Sequence, residues 1–140
     1  MADTKEAVAI WKGGMAFEGR VGSGATLAMG QEGVVFRPAE LVLVGLAGCT
    51  GTDVADILRK KRQAVTALEV QVAGQQAETQ PAKFVRIHVT YIVTGRQVDP
   101  EAVRRSIELS EEKYCSVAAS LRGVAEITTS FEVREAEPGV

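Results

Sequence analysis

The chain has 140 residues, of which 24% are charged and 46% are hydrophobic, a composition typical of a single globular domain spanning residues 1–140. Its 16 basic and 18 acidic residues give a net charge of −2, too balanced to predict nucleic acid as a partner. The longest uncharged run, residues 41–52, is shorter than the roughly 18 residues of a membrane span, so a cytoplasmic protein without a membrane segment is expected.

The N-terminal 30 residues alternate loosely between apolar and polar residues and are interrupted by glycines. This pattern predicts two or three short antiparallel strands joined by hairpin turns, at residues 8–11, 15–19 and 25–29.

A helix is predicted to begin near Pro38, because proline suits the first helical turn and the carboxylate of Glu40 complements the positive helix end. Residues 41–58 are then apolar or small almost all round, which predicts a helix that is buried on every side. A chain of this size seldom surrounds a whole helix, so a second copy of the chain is expected to cover one of its faces.

Two further strands are predicted at residues 67–74 and 84–94. A second helix should begin at Asp99 and close at Gly123, and a last strand should occupy residues 124–133. The predicted fold is therefore α+β, in the order βββ-α-ββ-α-β. The expected apolar face of the second helix consists of Val103, Ile107, Tyr114, Val117 and Leu121.

The chain has two cysteines, Cys49 and Cys115, one on each predicted helix. With a single histidine they do not complete the four ligands of a structural metal site, and two cysteines are too few for a disulfide framework, so neither a metal nor a cofactor is predicted. Two interpretations remain open. Both cysteines could be small core residues, or Cys49 could be a reactive thiolate.

A thiolate at Cys49 would need a stabilising cation, because the sulfur lies beyond the first helical turn, where the helix dipole acts. Asp53, one turn further along, would raise the pKa of the thiol. Arg20, expected in a glycine-flanked turn, is the first candidate for the cation and Arg37 is the second.

Two segments resemble the OsmC/Ohr family of osmotically inducible and organic hydroperoxide resistance proteins. RPAELVLVGLAGCTGTDV, residues 37–54, is similar to the first-cysteine helix of the family, and EEKYCSV, residues 111–117, is similar to its second-cysteine segment. The sequence of the second segment most resembles that of the less characterised OsmC-like branch of the family. The resemblance covers nearly the whole chain and implies an intertwined homodimer, with antiparallel sheets wrapped around two central helices.

The resemblance also implies a thiol-dependent peroxidase for oxidative-stress defence, with Cys49 as the peroxidatic and Cys115 as the resolving cysteine. It assigns supporting roles to Arg20 and Glu40, although Glu40 stands one residue later than the glutamate of the family, where this chain has Ala39. The implied partners are a small apolar hydroperoxide and a dithiol reductant such as a lipoyl group. The alternatives are a non-catalytic dimeric module that binds an apolar ligand and a redox-sensing stress protein.

Overall fold

The structure, a computed structural model, describes residues 3–138 and follows the predicted order of elements, with the second helix divided into two. The α+β fold class is thereby confirmed. The strands are β1 Ala7–Trp11, β2 Ala16–Val21, β3 Thr26–Gly30, β4 Ala64–Gln76, β5 Phe84–Arg96 and β6 Glu126–Glu135. The helices are α1 Pro38–Lys60, α2 Pro100–Leu109 and α3 Ser116–Leu121, with a π-helical turn at Ser110–Tyr114.

The chain divides into two compact units, Met1–Val42 and Leu43–Val140. The expectation of one domain over residues 1–140 therefore stays a prediction.

The first unit contains an antiparallel sheet in the order β1-β2-β3. Gly13 and Gly14 take positive φ angles of 99° and 54°, which most residues with a side chain avoid and which let the chain reverse between β1 and β2. Arg20 was expected in a turn. It lies instead in β2, because its backbone pairs with both Val8 and Thr26.

The second unit contains a mixed sheet in the order β4-β5-β6. β4 and β5 form an antiparallel pair, whereas β5 and β6 run parallel, with Arg86 opposite Glu126 and Gly95 opposite Glu135. The expectation of antiparallel sheets is therefore wrong for β6. The physical reason is the connection, since the helical segment between β5 and β6 carries the chain back along the sheet before β6 starts.

Helix α1 packs one face into the core of the second unit. Leu46, Val54 and Leu58 are fully buried, and a Cβ at Gly51 would lie 3.2 Å from the side chain of Val70 on β4. The opposite face is open, and Val44 is 50% exposed. The composition had predicted a helix buried on every side. A single chain buries only one face of α1.

Within the described residues, α1 is also long and apolar enough to pass a membrane-span test by length and hydropathy. This is weak evidence for a span, because the core helix of a folded domain meets the same criterion.

The second predicted helix is interrupted. α2 begins as predicted, with the Asp99 side chain accepting a hydrogen bond from the Glu101 backbone N–H at 3.0 Å, and it ends at Leu109. Cys115 has φ −77° and ψ 104°, an extended conformation, and was wrongly expected inside a continuous helix. Tyr114 was expected on the buried apolar face of a continuous helix. It lies instead in the π-helical turn and is 59% exposed.

Gly95 is expected to be essential for the pairing of β4 with β5. A Cβ at this position would lie 2.3 Å from the Ala64 carbonyl oxygen and 2.6 Å from the Val98 side chain, so the strands would have to move apart. We expect Gly95→Ala to lower the free energy of unfolding by about 1–3 kcal/mol in urea denaturation. Gly22→Ala is the control, because a Cβ there meets no atom within 4 Å. Equal stability of the two variants would contradict the prediction.

Candidate active site

The structure brings the two predicted cysteines together. Cys49 lies on α1 and is half-buried, while Cys115 is 2% exposed and forms the N-cap of α3. Both are free cysteines, and their thiols are within hydrogen-bonding contact of each other. Two thiols that share a hydrogen bond are candidates for oxidation to a disulfide.

The surroundings of Cys49 favour its thiolate form. Burial raises the pKa of Cys49, but hydrogen bonds from the Val117 backbone N–H, the Cys115 thiol and Ser116 outweigh this effect, so that the pKa falls below its ordinary value of 9.0. The Ser116 hydroxyl oxygen lies 4.0 Å from the Cys49 sulfur. Cys49 is therefore the better nucleophile of the two cysteines.

Cys115 is tuned in the opposite direction. Burial, and after it the contact with Cys49, raise the pKa of Cys115 to about 11, against the smaller lowering effect of the hydrogen bonds from the Ala118 and Val117 backbones. The Ala118 backbone N–H donates to the Cys115 sulfur at 3.4 Å. At neutral pH Cys115 is therefore a protonated thiol, and it donates its hydrogen to the Cys49 sulfur.

The π-helical turn creates this arrangement. The Cys115 backbone N–H donates to the Ser110 carbonyl oxygen at 2.8 Å, which closes a turn one residue wider than that of an α-helix. The helix stops at Cys115, and the backbone N–H groups that follow it are then free to face Cys49. Because α-helical N–H groups in mid-helix are already bonded, a continuous helix could not supply these donors.

Ser116 and Val117 were missed as functional residues by the sequence reasoning, which looked for a cation beside Cys49. A signal was present in the sequence. Ser110 stands on the face that carries Val103 and Ile107, where the pattern calls for an apolar residue, and it is fully buried.

Asp53 was expected to raise the pKa of Cys49. Its carboxylate accepts a hydrogen bond from the Ser110 hydroxyl at 2.8 Å.

The predicted supporting residues lie in the first unit, and each has a nearby partner there. The Arg20 guanidinium forms a salt bridge with Glu18 at 2.8 Å. The Glu40 carboxylate accepts a hydrogen bond from the Arg37 backbone N–H at 2.8 Å, as in the capping of a helix N-terminus. The Arg37 side chain donates to the Gly33 carbonyl oxygen at 3.1 Å. Roles for Arg20 and Glu40 in catalysis stay predictions.

Comparison with known proteins identifies related chains. The model of the family described as OsmC-like protein matches residues 30–130, which include both cysteines. Protein YhfA of Escherichia coli K12 is 42% identical over 125 residues, covering 88% of this chain and 93% of YhfA.

Solved structures share the fold. A hypothetical protein from Aquifex aeolicus superposes with a TM-score of 0.89 at 31% identity, covering 97% of this chain and all of the other. The organic hydroperoxide resistance protein OhrB of Bacillus subtilis superposes with a TM-score of 0.64 at 20% identity, covering 93% of this chain and 98% of OhrB. At that identity, the likeness to OhrB shows a common fold.

The lowered pKa of Cys49 predicts its reactivity. We expect Cys49 to be alkylated by iodoacetamide with a pH midpoint below that of an ordinary cysteine, and Cys115 to react only at much higher pH. Ser116→Ala removes one donor to the sulfur and should lower the alkylation rate at pH 7 about twofold to fivefold. Ser120→Ala is the control, since its hydroxyl donates to the Ser116 carbonyl oxygen instead. An unchanged rate in Ser116→Ala would contradict this assignment.

Proposed function

This chain belongs to the OsmC-like protein family, and we propose that within it the chain is a thiol-dependent peroxidase that reduces organic hydroperoxides. The observation that carries the proposal is the polarised thiol pair, in which the nucleophile Cys49 and a protonated Cys115 are in contact.

In the first step, the Cys49 thiolate attacks the terminal oxygen of a hydroperoxide, ROOH. The O–O bond breaks as the S–O bond forms, so the sulfur is oxidised to a sulfenic acid and the peroxide is reduced to an alkoxide that leaves as the alcohol ROH after protonation. The donors at Ser116 and Val117 hold the thiolate in place without neutralising it.

In the second step, the Cys115 sulfur attacks the Cys49 sulfenic acid. The S–O bond breaks, a disulfide forms, and the thiol proton of Cys115 leaves with the hydroxyl group as water. Because the thiols are already in contact, a disulfide should form before a second hydroperoxide can oxidise Cys49 to the sulfinic acid. A dithiol such as a lipoyl group then reduces the disulfide and is itself oxidised to a cyclic disulfide.

The proposed substrate is a small apolar hydroperoxide. OhrB, a structural relative, is an organic hydroperoxide resistance protein, and the core cluster into which Cys49 packs is hydrophobic. The reaction is assigned to the cytoplasm, where thiols are kept reduced and a dithiol reductant is regenerated.

Arg20 and Glu40 are proposed as supporting residues. A guanidinium near the Cys49 sulfur would lower the pKa of the thiol further than hydrogen bonds alone, and a carboxylate would orient that guanidinium. In the first unit the Arg20 side chain is about half exposed, so its pairing with Glu18 is a surface ion pair of small strength that another carboxylate could replace.

We further propose that the active form is an intertwined homodimer. Large apolar side chains of the first unit are exposed, among them Val8 at 58%, Trp11 at 64% and Val21 at 46%, and the open face of α1 carries Val44 at 50% exposure. Exposed apolar surface of this extent is typical of an interface between subunits. A second copy would cover the face of α1 that one chain leaves open.

The peroxidase proposal is tested by cysteine substitution. With an alkyl hydroperoxide and a dithiol reductant, Cys49→Ser should abolish turnover because it removes the nucleophile. Cys115→Ser should still reduce one equivalent of peroxide but then stop, with Cys49 trapped as sulfenic or sulfinic acid by mass spectrometry.

A folded wild-type protein whose Cys49 stays reduced would sink the peroxidase proposal and favour an apolar-ligand module. Oxidation without steady turnover in the presence of the dithiol would identify a redox sensor instead.

The dimer proposal is tested by multi-angle light scattering. The wild-type protein should have twice the mass of one chain, and Val44→Lys should shift it toward the monomer, because an ammonium group buried in an apolar interface is costly. Val124→Lys is the matched control, since Val124 is 54% exposed on a loop between α3 and β6. A monomeric wild-type protein would refute the proposal.

A further inference from the structure

A chain of buried polar groups runs beside the two cysteines. The Tyr91 hydroxyl lies 2.7 Å from Thr50 Oγ1, which lies 2.8 Å from Ser110 Oγ, which donates to Asp53 Oδ2 at 2.8 Å. Tyr91, Thr50 and Ser110 are each at most 2% exposed. Such a network is costly to bury unless every member is paired, and within residues 3–138 no buried side-chain nitrogen or oxygen lacks a partner.

The direction of these hydrogen bonds follows from the number of hydrogens. Each hydroxyl has one hydrogen, and that of Ser110 is donated to the Asp53 carboxylate, which can only accept. Thr50 must therefore donate to Ser110, and Tyr91 must donate to Thr50. Burial raises the pKa of Tyr91 to about 12, which keeps its phenol protonated and able to donate. All three hydrogens thus point toward Asp53, so that each bond polarises the next.

This network also connects the chain segments that carry the two cysteines. Thr50 directly follows Cys49 on α1, and its side chain binds Ser110. The Ser110 carbonyl oxygen in turn accepts the Cys115 backbone N–H at 2.8 Å and so closes the π-helical turn. The Tyr91 phenol, on the buried face of β5, bonds to the Thr50 hydroxyl and so connects the network to the sheet.

We propose that Thr50, Asp53, Tyr91 and Ser110 are positioning residues that hold the π-helical turn against α1, so that the Cys115 thiol and the Ser116 and Val117 donors face the Cys49 sulfur. Their effect on disulfide formation rests on the proposed peroxidase function, whereas their effect on the Cys49 thiolate does not.

The test compares two fully buried serines, each of which donates one hydrogen bond. Ser110→Ala cuts the network, whereas Ser106→Ala removes an O–H that donates to the Ala102 carbonyl oxygen within α2. For Ser110→Ala we expect the thiolate fraction of Cys49 at pH 7, followed by ultraviolet absorbance, to fall about fivefold. The ratio of disulfide to over-oxidised Cys49 after one equivalent of alkyl hydroperoxide should fall by a similar factor. Ser106→Ala should match the wild-type protein in both measurements.

A second pair of variants covers the case in which Ser110→Ala does not fold. Thr50→Val has nearly the same shape but cuts both hydrogen bonds, and Thr50→Ser keeps the hydroxyl and should restore wild-type values. Wild-type thiolate titration in Ser110→Ala or Thr50→Val would overturn the proposal. If wild-type Cys49 is not oxidised by the hydroperoxide, the peroxidase proposal fails, and the thiolate titration still decides the role of the network.

Discussion

The candidate site depends on one backbone hydrogen bond, from the Cys115 N–H to the Ser110 carbonyl oxygen. This bond joins residues five apart in the chain, as in a π-helix, whereas an α-helical bond joins residues four apart. It leaves Cys115 outside any helix. A cysteine in mid-helix has its own N–H and those of its neighbours committed to carbonyl oxygens. Ending the helix at Cys115 frees the donors at Ser116 and Val117, and these lower the pKa of Cys49.

Most of the fold could be predicted from the sequence, because its signals are local. Alternation predicted the long strands, and Pro38 and Asp99 marked the starts of two helices. The small and apolar residues of α1 predicted a helix buried on every side, of which one chain buries one face. The contact of Cys49 with Cys115 was expected from a family resemblance rather than from spacing. Their separation in the sequence carries no information on distance without a fold.

The remaining features depend on non-local interactions that no short pattern reports. The parallel pairing of β6 is set by the path of the preceding helices across the sheet. The π-helical turn depends on the buried partners of Ser110, which are contributed by α1 and are distant in sequence. A serine in an apolar stripe indicates that a buried partner exists, but it does not identify that partner.

The hydrogen-bond donors and the proposed arginine would be complementary rather than alternative. Burial of Cys49 works against its thiolate, and the nearby donors already reverse that effect while the sulfur remains half-buried. A hydrogen bond acts only at contact distance, whereas a guanidinium attracts the thiolate through space and also draws in a polar peroxide group. The donors therefore fix where the sulfur points, and a cation would set how fully it is ionised at neutral pH. A second copy of the chain that excludes water from the open face of α1 would strengthen both effects, because each grows as the local dielectric falls.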